Sequence, residues 1–336
     1  MKRVIVTGAA GFIGSNFVRR ALETQPDWHL VGYDALTYAG NVQNLAGLEQ
    51  TGRFEFVHGD ICDAPAVAAL FAAPVWGLIN FAAETHVDRS IHGAAAFVQT
   101  NIGGTQVLLD EARKHGLEKY VQVSTDEVYG SLGPEGRFTE QSPLAPNSPY
   151  SASKAGADLL VRSYWRTHDL PAVVTRCSNN YGPYQFPEKV IPLFITNLLE
   201  GKQVPLYGDG LNVRDWIHVR DHCDALISVL ARGTPGEVYN IGGDCELTNV
   251  ALTHAILREL GKDESMIRRV KDRPAHDRRY AICADKIATQ LGWSPRVDFA
   301  TGLAETVRWY VENEAWWRAV KSGEYQKYYE LQYGGR

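Results

Sequence analysis

A short apolar run, Val4-Ile5-Val6, leads directly into Gly8-Ala9-Ala10-Gly11-Phe12-Ile13-Gly14 and then into an amphipathic stretch. No other feature limits the fold so strongly, because the order is strand, glycine turn, helix. Glycines let a backbone turn tightly and approach a pyrophosphate, and the amide groups at a helix start favour its negative charge. The spacing is GxxGxxG, which departs from the GxGxxG dinucleotide fingerprint. Asp34 adds to the case. It ends a second apolar strand, Leu30-Val31-Gly32-Tyr33, about twenty residues past Gly14, where a carboxylate can accept hydrogen bonds from the adenosine ribose hydroxyls. The same charge repels a 2′-phosphate, so NAD is expected rather than NADP.

Apolar strands then alternate with helical periods: Val4 to Thr7, Leu30 to Asp34, Glu55 to His58, Gly77 to Phe81, Tyr120 to Ser124 and Ala172 to Arg176. Such alternation predicts an α/β fold, a Rossmann-like doubly wound parallel sheet with helices on both faces. Ligands bind such sheets at the carboxyl ends of the strands, and Gly8, Asp34, Asp60, Ala82 and Thr125 all follow strands. After Tyr181 the pattern changes to proline, aromatic and basic segments, with a return to the sheet at Val238-Tyr239-Asn240-Ile241. The expected division is an NAD-binding domain over 1–180, with a return around 216–244, and a smaller mixed α/β substrate-binding domain over 181–215 and 245–336. No repeat or flexible linker separates them, so a cleft is expected between closely packed lobes.

Composition narrows the function classes. With 336 residues and 45% hydrophobic content the chain can bury a large core and support a second lobe. The net charge of −5, with both signs interspersed, argues against a protein that coats nucleic acid or an anionic membrane. No apolar run approaches the ~20 residues of a membrane helix, and the amino terminus reads as a strand rather than a signal peptide, so a cytoplasmic location is expected. The 5 cysteines are odd in number and without a CxxC, which suits a reducing compartment. The 10 histidines form no cluster with metal-ligand spacing, and no metal is expected.

Two further motifs carry chemistry. In Tyr150-Ser151-Ala152-Ser153-Lys154 a phenol and an amine lie four residues apart, which on a helix places them on one face. Tyrosine titrates near pH ~10, and a neighbouring cation favours the phenolate, so Lys154 is expected to bring Tyr150 toward general-base duty. Upstream, Ser124-Thr125-Asp126-Glu127 ends an apolar run with two acids that a simple hydride-transfer enzyme does not need. Adjacent residues of a strand face opposite ways, so Asp126 and Glu127 can serve one substrate only if the chain turns there.

Together these motifs resemble the extended short-chain dehydrogenase/reductase family, and Thr125-Asp126-Glu127 resembles the signature of its nucleotide-sugar 4,6-dehydratases. The similarity also runs through Asp60-Ile61-Cys62-Asp63, Ala82 to Ser90, Asn179-Asn180-Tyr181-Gly182-Pro183 and Asp272 to Tyr280. Thr85 and Ala275 depart from the serine and glycine frequent in that family, which bears on fine specificity. The resemblance implies a nucleotide-linked hexose, with thymidine favoured as the base, held against tightly bound NAD. Tyr150 would take the 4-hydroxyl proton while hydride leaves C4, and Thr125 would orient that hydroxyl. The 4-ketone acidifies the C5 hydrogen. Glu127 would then act as base at C5 and Asp126 as acid to the departing C6 hydroxyl, and hydride would return to C6.

By the same resemblance Gly8, Gly11, Phe12, Ile13, Gly14, Asp34, Ala35, Leu36, Thr37, Asp60, Ile61, Ala82, Ala83, Glu84, Thr100 and Asn179 would contact the cofactor beside Tyr150 and Lys154. Asp60 also has a local alternative, capping a following helix. Substrate would meet His86, Asn180, Lys189, Val190, Pro205, Leu206, Tyr207, Arg214, Asn249, Arg273 and His276, the two arginines suiting pyrophosphate because guanidinium forks bind its oxygens in pairs. The helical stretches Ala94 to Lys114 and Ser151 to His168 carry apolar residues beyond the needs of one sheet face, and the family forms a homodimer through such helices. A nucleotide-sugar 4-epimerase or decarboxylase would share NAD, Tyr150 and Lys154, but an epimerase has no use for a C5 base plus a C6 acid. A non-catalytic dinucleotide-sensing protein on the same fold would need neither Tyr150 nor the carboxylates.

Overall fold

The computed structural model describes residues 1–272 and 276–321. Seven parallel strands form the larger sheet: β1 (Lys2–Thr7), β2 (Trp28–Asp34), β3 (Phe54–His58), β4 (Gly77–Asn80), β5 (Lys119–Thr125), β6 (Ala172–Cys177) and, after a long excursion, Val238–Ile241. Val4, Ile5 and Val6 are wholly buried, as a strand covered on both faces requires. Each such side chain contributes roughly 1.5–3 kcal/mol relative to exposure. The helix Phe12–Thr24 buries Phe17, Val18, Ala21 and Leu22 along one stripe.

Between β6 and the returning strand lie β7 (Asn179–Tyr181), β8 (Val204–Tyr207) and β9 (Val213–His218). The return is β10 (Val238–Ile241), followed by β11 (Glu246–Thr248) and β12 (Ile267–Val270). The large sheet is ordered β10-β6-β5-β4-β1-β2-β3, with β11-β9-β7 and β12-β8 as separate small sheets. Strand order reverses beside β1, so the crevice between the carboxyl ends of β1 and β4 is where a ligand is expected. The second lobe has its own core around Tyr181, Phe194, Trp216, Ile256, Leu303, Tyr310 and Trp317.

One junction fixes the cleft. Ser178 separates β6 from β7 and donates its N–H to the Ile241 carbonyl at 3.1 Å, so the chain leaves the large sheet and enters the small one within a single residue. Asn179 and Asn180 therefore lie in a strand that pairs with Trp216 and Ile217 of β9.

Candidate active site

Two cavities meet over the carboxyl ends of the large sheet, one of about 300 Å³ and one of about 170 Å³. Glu127, Asn179, Glu188 and Lys189 line both, so their junction is walled by acids, an amine and an amide.

The larger cavity begins at the glycine turn. Gly8 has φ +67°, and a Cβ there would lie 2.6 Å from the Ala82 nitrogen at the end of β4. A Cβ on Gly14 would fall 2.1 Å from the Gly8 carbonyl oxygen. The turn is thus as close to its neighbours as bare backbone allows. Helix Phe12–Thr24 has no side-chain cap and no acid in its first turn, which leaves its amino end suited to an anion. Asp34 accepts the Ala10 N–H at 2.9 Å and the Leu36 N–H at 2.8 Å. Burial raises its pKa and those amides oppose the rise. A glycine cradle that a Cβ would fill, together with a fixed carboxylate beyond it, fits a dinucleotide with a free ribose.

Gly11, Phe12, Ile13, Ala35, Thr37, Asp60, Ile61, Ala82, Ala83, Glu84 and Thr100 also line this cavity. Leu36 does not: at φ +51° its side chain packs against the main core, and only its N–H serves the site, through Asp34. Asp60 accepts from Cys62 N, while Asp63 caps the helix Ala64–Ala69. Thr100 lies in a π-helical turn, Val98–Gly104, that helical periodicity did not predict. Next to it, Asn101 donates to the Glu84 carbonyl at 3.0 Å and accepts the Glu84 N–H at 2.8 Å, tying that turn to the segment after β4.

At the other end of the cavity, β5 finishes at Thr125 and the chain enters a tight turn, Asp126–Tyr129. Thr125 Oγ1 accepts the Glu127 N–H at 3.2 Å and lies 3.3 Å from Asp126 Oδ1. The turn supplies what strand alternation forbids, since Thr125, Asp126 and Glu127 all line one cavity. Asp126 is 2% exposed, and its Oδ2 has no hydrogen-bond partner among the described residues. Burial, then the charges of Glu127 and Asp215, push its pKa well above the carboxylate range. The Arg214 charge opposes that rise, and the balance favours the protonated form of Asp126.

Tyr150 and Lys154, on one face of their helix, both line the cavity. Lys154 Nζ donates to the Val123 carbonyl of β5 at 2.7 Å. Surrounding protein raises the Tyr150 pKa well above its ordinary value, the Glu127, Cys177 and Asp126 charges add to the rise, and a hydrogen bond with Thr125 opposes it. Burial lowers the Lys154 pKa, opposed by Asp158 on the next turn. Asp158 in turn is paired at 2.9 Å with the buried Arg176.

The smaller cavity gathers His86, Val190, Pro205, Leu206, Tyr207, Arg214, Asn249 and His276. Arg214 donates to the Val213 and Asp277 carbonyls at 2.7 and 2.9 Å, with its guanidinium 4.2 Å from the Tyr280 ring centre. His276 pairs with Asp272 at 2.6 Å and meets Tyr207 edge-on. Lys189 donates to the Thr85 carbonyl at 3.2 Å. Asn180 belongs to the larger cavity, its Oδ1 2.8 Å from His222 Nδ1. Arg273 lies outside the described residues.

Glu188, Trp216 and Tyr280 were missed by the sequence reading. Glu188 is buried and raised in pKa by that burial, with Arg89 at 3.2 Å as its counter-charge. Its signal was its place directly before Lys189, in the mostly aromatic and apolar run Tyr184 to Pro192. Among the described residues no group of His, Cys, Asp and Glu could hold a metal ion, and no helix is long and apolar enough to cross a membrane.

A parallel sheet with a glycine cradle at its switch point, and a tyrosine, a lysine and two acids at the far end of the same cavity, defines a nucleotide-sugar-modifying enzyme class. The family model described as GDP-mannose 4,6 dehydratase matches residues 5–306, and the chain belongs to that family. It is 56% identical over 324 residues to the dTDP-glucose 4,6-dehydratase of Streptomyces niveus, covering 95% of this chain and 96% of that one. The crystal structure of the dTDP-glucose 4,6-dehydratase DesIV from Streptomyces venezuelae, with NAD and TYD bound, is 55% identical and superimposes with a TM-score of 0.93, covering 95% of this chain and all of that one. A UDP-glucose 4-epimerase from Thermotoga maritima, with UDP-glucose, shares the fold at a TM-score of 0.87 but only 29% identity, over 93% of this chain and 99% of that one.

Proposed function

We infer that this chain converts dTDP-glucose to dTDP-4-keto-6-deoxyglucose and water, as an NAD-dependent hydro-lyase. The observation that carries the reading is the pair of carboxyls in one cavity, with Asp126 buried and one oxygen unpartnered, and Glu127 at the wall shared with the second cavity. An epimerase has no step that uses them.

The glycine turn and Asp34 would hold NAD, which would supply a reversible hydride acceptor for C4 and donor for C6, and whose oxidised, positively charged ring would favour the phenolate of Tyr150. Tyr150 accepts the 4-hydroxyl proton, which Thr125 orients through the hydrogen bond it shares with the phenol. The 4-ketone acidifies the neighbouring C5 hydrogen. Glu127, at the shared wall of the two cavities, removes it as a proton. Asp126 gives its proton to the C6 hydroxyl, which leaves as water while the C5–C6 double bond forms. Glu127 then returns a proton to C5, and no net oxidation remains. The two carboxyls divide base and acid work because their surroundings differ.

The nucleotide occupies the smaller cavity, where Arg214 reaches the phosphates and Pro205, Leu206, Tyr207 and Asn249 flank the base. Homodimerisation is supported by exposed apolar side chains on the two long helical segments, Val98 at 52% and Leu159 at 55% exposed. The charge of −5 and the unpaired cysteines suit the cytoplasm.

The test is product mass after incubation with catalytic NAD and dTDP-glucose, with UDP-glucose in a parallel tube. Loss of one water from dTDP-glucose alone is expected. An unchanged mass with dTDP-galactose formed would make the protein an epimerase.

A further inference from the structure

Asn44 is a buried amide that lines neither cavity, and its two side-chain hydrogen bonds go to two places. Its Nδ2 donates to the Ala10 carbonyl at 2.9 Å, inside the glycine turn. Its Oδ1 accepts the indole N–H of Trp316, also at 2.9 Å, from a helix 272 positions away in sequence. The Trp316 donor has a consequence for the amide. An indole N–H can only donate, so it selects the rotamer in which Oδ1 faces Trp316 and Nδ2 faces Ala10. Without it, a flipped amide would set its oxygen against the Ala10 carbonyl.

The Ala10 peptide is thereby gripped from both sides. Its N–H goes to Asp34 Oδ2 at 2.9 Å, and its carbonyl takes Asn44 Nδ2 together with the Asn41 N–H at 3.1 Å. Trp316 is itself fixed in an aromatic cluster of the second lobe that faces the first. Tyr184 lies 4.8 Å from Trp309 and 6.1 Å from Trp316, and Trp309 lies 5.1 Å from Trp316, centre to centre. From the first lobe Arg19 approaches the Tyr184 ring at 5.0 Å and donates to the Asn44 carbonyl at 2.8 Å, while Asn16 donates to the Pro183 carbonyl at 3.0 Å.

We propose that Trp316 is a positioning residue for the cofactor loop: through Asn44 it fixes the Ala10 peptide, so that docking of the carboxyl-terminal segment on the first lobe sets how tightly NAD is retained. The proposal rests on the reading of the glycine turn as the NAD site. It assigns Trp316 no contact with cofactor or substrate. Glycine turns hold a dinucleotide through backbone geometry, so a peptide free to tilt weakens retention without changing the chemistry.

Trp316→Phe keeps a ring against Tyr184 and Trp309 and deletes only the donor. Asn44→Asp keeps the acceptor for Trp316 and deletes the donor to Ala10. Full-length proteins are purified, their bound NAD is measured after acid extraction, and NAD dissociation constants are measured on stripped protein by fluorescence titration alongside the melting temperature. Both variants are expected to carry less NAD and to bind it about 5- to 20-fold more weakly, with kcat at saturating NAD within about twofold of the parent. Adding Trp316→Phe to Asn44→Asp is expected to cost nothing further, because the two act in series. A Trp316→Phe protein that binds NAD as the parent does, or one whose loss adds in full to that of Asn44→Asp, overturns the proposal. A parent protein that binds no NAD would instead overturn the reading beneath it.

Discussion

Asp34 and Asp126 lie at opposite ends of one cavity, 8% and 2% exposed, each at the carboxyl end of a parallel strand or just beyond it. Their backbones treat them differently. Asp34 receives two amide hydrogens, from Ala10 and Leu36, which favour its charged form. Asp126 receives none: Thr125 Oγ1 is its hydrogen-bond partner, one oxygen is unpartnered, and burial with the like charges of Glu127 and Asp215 outweighs the opposing charge of Arg214. Burial raises the pKa of both, but amides oppose the rise at Asp34 and like charges add to it at Asp126, so the anion is favoured at Asp34 relative to Asp126. Residue type does not separate the two roles; the number of amides pointing at each carboxyl does.

The largest effects fall at the chemical end. Tyr150→Phe is expected to lower kcat by about 10³-fold and to abolish C4 oxidation, read as loss of NAD reduction in a single turnover. Glu127→Gln is expected to keep the first half-reaction and to lose dehydration by about 10³-fold, read from product mass. Equal loss of NAD reduction in both would break the division between phenol and carboxyls. At the other end, Asp34→Asn removes the anion and is expected to weaken NAD binding about 10- to 100-fold in a titration of stripped protein, with little effect on kcat once NAD saturates.

A smaller effect separates the two carboxyls by pH. A group with a raised folded pKa holds its proton in the folded state where the unfolded chain has already lost it. Asp126 therefore stabilises the fold below the unfolded carboxyl pKa, and that contribution is lost as pH rises through the raised value. Asp126→Asn is expected to melt higher than the parent at neutral to mildly alkaline pH, with the gain shrinking as pH falls and gone below about pH 3, where the parent carboxyl is protonated in both states. Scanning calorimetry across that range reads the difference.

Much of this comparison was legible in sequence. Gly8, Gly14 and Asp34 were found because a strand, a turn and an acid at fixed offsets act locally, and the return strand Val238–Ile241 because four apolar-rich residues between turns can do little else. The turn at Asp126 was posed as a condition, and its geometry came from coordinates. The Lys154 bond to the Val123 carbonyl joins a helix to a strand, which spacing within the helix does not encode. Leu36, at φ +51° and half-buried against the main core, does not line the cavity, which its place after Asp34 does not reveal. Thr100 lies in a π turn that a 3.6-residue period cannot encode. The pairing of Asn44 with Trp316 leaves no local trace, since the partners meet only when both lobes are folded.

Asp126 as the buried proton donor of the elimination is tested most directly by a single turnover of the Asp126→Asn holoenzyme with dTDP-glucose, following NAD reduction and the mass of the quenched sugar nucleotide. Reduced NAD is expected to form and persist, with a nucleotide that has lost two hydrogens but no water. A dehydrated product formed at the parent's rate would contradict it.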